Sequence, residues 1–132
     1  MNIQLSRWKV QELSLKLKKS PSESKPKKQS FTLSLGNSFS ESSKKEFSIA
    51  FQIVIDDIDF DLSLEMVFFF KLDSDVTEEF KTSKFISINA PAIAFPFVRS
   101  YISNLTLQSG LSTIILPSVN FVEFSKLKKH QE

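Results

Sequence analysis

The sequence contains no cysteine, only two glycines and a single histidine among its 132 residues. The absence of cysteine excludes disulfides, thiolate catalysis and cysteine-bound metal. Scarce glycine disfavours phosphate-binding loops, which need close backbone approach and positive φ angles. The one histidine, His130, lies near the C-terminal end, so neither a histidine-based catalytic triad nor a zinc site is expected. These absences favour a protein that is not an enzyme and that uses no metal or other cofactor.

A strong net charge and a long apolar run are also missing. The formal net charge is +2, which indicates no nucleic-acid partner. The N-terminal segment MNIQLSRWKV lacks the apolar run of a signal peptide, and no segment approaches the ~20 apolar residues of a membrane span. We therefore expect a cytoplasmic protein of one domain, residues 1–132, without direct membrane insertion.

Phenylalanine is abundant, with 14 residues, and supplies apolar area for a core or for a contact surface. Alternating apolar and polar residues predict strands in SFTLSLG, EFSIAFQIVI and DFDLSLEMVFFFKL. A further strand is predicted before a polar loop at residues 18–30. Short turns between the later strands predict an antiparallel meander of four strands with one covered face.

The first strand, NIQLSRWKVQELSLKLKK, changes its apolar face twice. Strict alternation places Ile3 and Leu5 on one side, Trp8 and Val10 on the other, and Leu13 back on the first. The pattern is compatible with a long strand buried on both faces in its middle, with one strand carrying bulges, or with two short strands joined at a bend.

The segment NAPAIAFPFVRSYISNLTLQSG, residues 89–110, has the apolar spacing of an amphipathic helix, with Gly110 as its C-cap. Pro96 fits this helix only if the first turn is irregular or if the regular helix begins near it. Before it, Asp75 and Glu78 have the spacing of a capping box around one short helical turn. After it, the chain is expected to be extended and then to end in a short basic helix or tail at residues 126–132.

Two pairs of apolar residues interrupt polar faces and are candidates for an interaction surface. Val67 and Phe69 follow acidic and polar residues on one face of the fourth strand, and Trp8 and Val10 break the pattern of the first strand. Coverage by the helix or by a second subunit is the alternative explanation.

The C-terminal third resembles a known family. The sequence APAIAFPFVRSYISNLTLQSG followed by LPSVNFVEF is similar to the characteristic region of SecB, the bacterial protein-export chaperone. It shares with that family the Phe95-Pro96-Phe97 triplet, the following Arg99, Gly110, and the segment ending at Phe121. The segment IQLSRWKVQELSL is similar to the family's first strand.

This resemblance implies an α+β fold: a four-stranded antiparallel sheet with the long C-terminal-half helix on it, assembled as a dimer of dimers with the helices sandwiched between two sheets. SecB-like proteins are ATP-independent holdases, which bind unfolded precursors in apolar grooves and pass them to the export motor SecA. A wide apolar helix has two surfaces to bury, so Tyr101 and Leu105 are expected at a subunit contact.

The resemblance also implies roles for the sheet residues. The predicted client-binding residues are Trp8, Val10, Val67 and Phe69. The acidic residues predicted to dock the basic tail of the motor are Glu12, Asp59, Asp61 and Glu65. Lys16 departs from this pattern, because it stands where the family has a second acidic residue.

Two other functions remain open from the residues. One is a dedicated SecB-like chaperone for a single client, such as a toxin–antitoxin pair. The other is a non-enzymatic module whose phenylalanine-rich interior holds an apolar ligand or serves a structural interaction.

Overall fold

The computed structural model describes residues 2–19 and 29–130 and contains one four-stranded antiparallel sheet and three α-helices within them. The strands are β1 (Ile3–Leu17), β2 (Ser30–Phe39), β3 (Glu46–Asp56) and β4 (Phe60–Leu72). The chain divides into two compact units, Met1–Ser74 with the sheet and Asp75–Glu132 with the helices. The predicted α+β class is therefore confirmed.

The strand order is β1-β4-β3-β2, so the predicted simple meander is wrong. Strands β2, β3 and β4 follow one another as a meander, but β1 pairs with β4 at the far edge. Alternation within a strand says which face a residue lies on and not which strand lies beside it, so it carried no information on this long-range pairing. Strand β2 also continues beyond the predicted segment SFTLSLG to Phe39, which pairs with Phe47, their ring centroids 6.2 Å apart.

Strands β3 and β4 have the predicted alternation, and their apolar sides form the core of the sheet. The apolar residues that alternate along these two strands, from Phe47 to Ile55 and from Phe60 to Leu72, are 0–7% exposed. The rings of Phe47 and Phe70 are stacked, with centroids 4.9 Å apart, and those of Phe51 and Phe68 meet edge to face at 5.5 Å. Such aromatic pairs add specific geometry to the area that is buried.

Strand β1 carries two bulges, which explain its irregular pattern. The pairing with β4 shifts between Leu5 and Arg7 and again between Val10 and Glu12. Each extra residue, Ser6 and Gln11, restores the apolar residues that follow to the same side. Trp8 therefore lies opposite Phe68, on the core side of the sheet. Of the three alternatives for this segment, the bulged strand is confirmed.

In the second unit, α1 (Glu78–Lys81) precedes a π-helical turn (Phe85–Asn89) that continues into α2 (Ala90–Gln108). The N-cap of α1 is Thr77, whose hydroxyl accepts a hydrogen bond from the N–H of Phe80 at 3.1 Å, and not the predicted Asp75. The π-helical turn ends where α2 begins, and α2 runs on through Pro96. Pro96 has no N–H to donate to the carbonyl of Ala92, four residues before it. Both residues are exposed, so water can bind that carbonyl instead.

Gly110 ends α2 as predicted, with φ of 78°. The N–H of Gly110 donates to the carbonyl of Leu107 and that of Leu111 to the carbonyl of Thr106, which together form a Schellman motif. The following segment, residues 112–120, has no regular secondary structure. The last helix, α3, is Phe121–His130, so helical structure begins before the predicted tail at 126–132.

Side chains of α2 hold the segment that follows it. The guanidinium of Arg99 donates to the carbonyl of Leu116 at 3.0 Å, and the hydroxyl of Ser103 donates to the carbonyl of Ile114 at 2.6 Å. The buried hydroxyl of Thr106 accepts a hydrogen bond from the N–H of Ile114 at 3.0 Å. These bonds satisfy backbone groups that have no strand partner.

The predicted polar loop at residues 18–30 falls largely on residues 20–28, which lie outside the described residues, as do the last two residues of the predicted tail. The mostly helical segment Glu78–Gln108 is long and apolar enough to cross a membrane by length and composition alone. That test is also met by core helices of soluble proteins, so it is weak evidence for a membrane span.

Candidate functional site

An exposed apolar row lies along β1 on the core side of the sheet. The β1 row consists of Trp8, Val10, Leu13 and Leu17, which are 38–64% exposed. Their partners on β4, which are Phe68, Met66, Leu64 and Phe60, are 0–2% exposed. The apolar side of the sheet thus continues beyond its buried part onto an accessible edge strand. Contiguous exposed apolar surface of this kind is typical of interaction sites.

The β1 row forms because the bulge at Gln11 brings its four residues to one side of the sheet. If Gln11 were paired like its neighbours, without the register shift, Val10 and Trp8 would lie on the opposite face from Leu13. The rings of Trp8 and Phe68 are 5.8 Å apart and tilted by 30°. One side of the indole therefore packs on the core, and the remainder of the residue is accessible.

Val67 and Phe69 lie on the other side of the sheet, which we call the open face. The predicted client-binding set is therefore divided between two faces and does not form one patch. On the open face Val67 is opposite Lys9 and Phe69 is opposite Arg7. The Arg7 guanidinium carbon is 3.8 Å from the centroid of the Phe69 ring, and the Lys9 ammonium nitrogen is 5.9 Å from it. Basic side chains thus shield both half-buried apolar residues.

The four predicted acidic docking residues lie in two places. Glu12 and Glu65 are directly opposite each other on the open face. Two like charges in this position destabilise a strand pair unless something compensates them. Among the described residues neither carboxylate has an ion-pair partner within 4 Å.

The other two acidic residues lie near the turn between β3 and β4, where lysines surround them. Asp59 is in the turn itself, before the first residue of β4. Asp61 is opposite Lys16, and one of its oxygens is 3.8 Å from the Lys18 ammonium. Lys18 also donates a 2.6 Å hydrogen bond to Asp56, which is the main reason that the pKa of Lys18 is raised above 10.5. Cations therefore separate Asp59 and Asp61 from the acidic pair Glu12 and Glu65 in character, because this end of the sheet carries both signs of charge.

The two residues predicted for a subunit contact, Tyr101 and Leu105, are half-buried on one flank of α2. The most exposed apolar residues of this helix are Ile93, Phe97 and Leu107. Their spacing places them on the side of α2 opposite the buried Val98 and Ile102. The placement of Tyr101 and Leu105 at a subunit contact stays a prediction.

Two features of the site were missed from the sequence. One is the extension of the β1 row to Leu13 and Leu17, and the other is the contact of Arg7 and Lys9 with Phe69. Counting two bulges between Leu5 and Leu13 is the signal that would have revealed both. Within residues 2–19 and 29–130 no group of three or more His, Asp or Glu side chains is arranged to hold a metal ion.

Comparison with known proteins places these features in a family. The family model for preprotein translocase subunit SecB matches residues 1–132. An uncharacterized protein of Methanocaldococcus jannaschii is 37% identical over 59 residues, which is 45% of this chain and 37% of that protein. The chain therefore aligns with well under half of the length of this relative.

Two solved structures share the fold. The SecB-like chaperone Rv1957 of Mycobacterium tuberculosis, solved with a ChAD peptide from the HigA1 antitoxin, superimposes with a TM-score of 0.70 at 14% identity, covering 89% of this chain and 91% of that one. A protein of unknown function from Streptococcus agalactiae gives a TM-score of 0.59 at 17% identity, covering 89% and 98%. At these identities the similarity shows the fold alone.

Proposed function

Because the chain belongs to the SecB family, we propose that it is an ATP-independent holdase that binds unfolded polypeptides on exposed apolar surface and keeps precursors competent for export. Binding is non-covalent and needs neither nucleotide nor cofactor. The protein acts in the cytoplasm, as a chaperone rather than as an enzyme.

The observation that carries this proposal is the β1 row. Apolar surface removed from water stabilises a complex by roughly 25 cal/mol per Å² before the ordering of the client is subtracted. Trp8 supplies a large, rigid aromatic contact at one end of the row, and aromatic residues of this kind tend to carry much of the binding energy of an interface. Because β1 is an edge strand, a client segment reaches the row without any rearrangement of the core.

We propose homotetramers, as a dimer of dimers, with Tyr101 and Leu105 at a contact between subunits. Support comes from the apolar residues that remain accessible on α2 beside these two. Docking of the basic tail of SecA is proposed at Glu12 and Glu65, with Asp59 and Asp61 contributing from the β3–β4 turn. The lysines beside Asp61 weaken the field at that end, so Glu12 and Glu65 carry most of this part of the proposal.

The alternative of a dedicated chaperone is favoured by one specific observation. The structurally similar Rv1957 binds a peptide from an antitoxin. A dedicated chaperone uses the same β1 row but recognises one segment of one client. Its clients are therefore few, and unrelated unfolded proteins compete poorly for the row.

The test is the aggregation of several unrelated unfolded proteins at equimolar chaperone, followed by light scattering without nucleotide. The wild type is expected to suppress scattering, and Val10→Ser combined with Trp8→Ser is expected to weaken client binding on the order of ten-fold. Val54→Ser is the matched control, because Val54 is at least as accessible as Trp8 and Val10 and lies on the opposite side of the same sheet.

Unchanged scattering with every client would contradict a general holdase and favour the dedicated one. Equal loss in the control variant would show that the β1 row has no special role. Circular dichroism of each variant confirms that the sheet is intact.

A further inference from the structure

The Arg7 patch, which we define as Arg7, Lys9 and Phe69, lies on the open face near one end of the sheet. The bulge at Ser6 brings Arg7 opposite Phe69, and Lys9 follows opposite Val67. The guanidinium carbon of Arg7 lies 3.8 Å from the centroid of the Phe69 ring. Arg7 and Lys9 are both exposed, so the patch is accessible to a partner.

The geometry presents the Arg7 side chain in a fixed orientation. A guanidinium that rests on an aromatic face keeps the N–H groups on its edge available for a carboxylate, which it can bind through two hydrogen bonds. Among the described residues Arg7 and Lys9 have no hydrogen-bond or ion-pair partner for their side chains. The contact with Phe69 reduces the side-chain entropy that a partner would otherwise have to remove.

The patch borders a shallow hollow that suits an extended chain. Arg7 and Phe69 line it together with Ser38, Ser48 and Glu46. The serine hydroxyls in its lining are able to donate to or accept from a peptide backbone. A main chain lying in the hollow therefore places its side chains within reach of Arg7.

Charges around the patch limit the kind of anion that fits. Glu12 and Glu65 lie four residues along β4 from Phe69, which is about 13 Å, and Glu46 borders the hollow. A short acidic segment whose carboxylate is held mainly by Arg7 stays clear of Glu12 and Glu65, whereas Lys9, opposite Val67, is only two residues along the sheet from them. A continuous polyphosphate backbone would pass these carboxylates and be repelled, so nucleic acid is disfavoured.

We propose that the Arg7 patch docks a short acidic segment of a partner polypeptide, with a carboxylate held by Arg7 and Lys9 and the chain lying across the adjoining hollow. The inference rests on the proposed polypeptide-binding function, because it names the kind of segment that the Phe69 side of the sheet accepts. It also assigns the two sides of the sheet different partners: apolar segments at the β1 row and acidic segments at the Arg7 patch.

The test is fluorescence anisotropy of a labelled six-residue peptide of alternating glutamate and serine, titrated with the full chain. We expect binding that weakens as salt rises, because exposed charges are screened over about 8 Å at physiological ionic strength. Arg7→Glu combined with Lys9→Glu is expected to weaken binding by about ten-fold or more, since like charges would then face each other. Lys16→Glu is the control, because Lys16 lies on the same face of the same strand at its other end.

Arg7→Gln serves as a second variant that removes the charge without reversing it, and should give a smaller loss in the same direction. No binding by the wild type, or equal loss with Lys16→Glu, would overturn the proposal. Equal binding of a lysine–serine or glutamine–serine peptide, or of a twelve-nucleotide RNA, would also overturn it.

The aggregation assay on the same variants separates the two proposals. A wild type that suppresses aggregation but ignores the acidic peptide disproves the docking site alone. One that binds the peptide but leaves aggregation unchanged disproves the holdase alone.

Discussion

Strands β4 and β1 pair along their whole length, carry apolar residues on the same side and yet differ sharply in exposure. Phe68 is fully buried, whereas Trp8 directly opposite is 43% exposed. Strand β4 has a paired strand on both sides and β1 on one side only. The difference shows that β4 forms the core, whereas β1 extends the core's apolar side to the edge of the sheet.

The open face repeats this division in charge. Glu12 and Glu65 concentrate negative charge at mid-strand, whereas Arg7 and Lys9 place positive charge over Phe69 at the end. One small sheet thus presents an apolar row on one side and two oppositely charged regions on the other. Separate surfaces of this kind allow a chaperone to hold a client without blocking a partner.

The largest expected effect separates the two strands by stability. Phe68→Ala should lower the free energy of unfolding by about 3–5 kcal/mol, because it opens a cavity in the core. Trp8→Ala should lower the free energy of unfolding by about 1–2 kcal/mol. Only part of the indole is buried, and full burial of a large apolar side chain contributes roughly 1.5–3 kcal/mol. Urea denaturation followed by circular dichroism measures both. Equal losses would mean that Trp8 belongs to the core and not to a binding surface.

A smaller effect is expected from deleting one residue of β1. Deletion of Gln11 takes out the extra residue of the bulge, so the preceding part of β1 keeps its partners and Trp8 and Val10 stay on the core side. We expect this variant to stay within about 1 kcal/mol of the wild type in unfolding free energy and to retain client binding. Deletion of Lys9, which is paired, instead turns Trp8 to the open face and places Arg7 opposite Phe68, so we expect a loss of about 1–3 kcal/mol together with loss of client binding. Urea denaturation and the light-scattering assay measure both variants, and a Lys9 deletion with native stability and full client binding would show that the register of β1 does not form the site.

Local patterns in the sequence predicted the elements better than their arrangement. The alternation of β3 and β4, the helix ending at Gly110 and the family resemblance were all confirmed, because each depends on residues close together in the chain or on a motif. The meander order was wrong because the β1–β4 pairing is set by contacts distant in sequence. The alternation pattern did not show that Trp8 and Val67 lie on different faces, because one bulge reverses every face that follows it. Pro96 was expected near the start of α2, but its exposed position allows the helix to continue through it.

The most direct measurement of the central claim uses the fluorescence of Trp8, which is the single tryptophan of the chain and lies in the β1 row. An unfolded client without tryptophan is titrated into the protein. The protein concentration is chosen so that light scattering of the protein alone gives a constant molecular mass. If the β1 row binds clients, the Trp8 emission moves to shorter wavelength in proportion to bound client, and an acrylamide quencher loses access to it. Client binding that is detected by anisotropy of a labelled client, while the emission and quenching of Trp8 stay unchanged, would contradict the account.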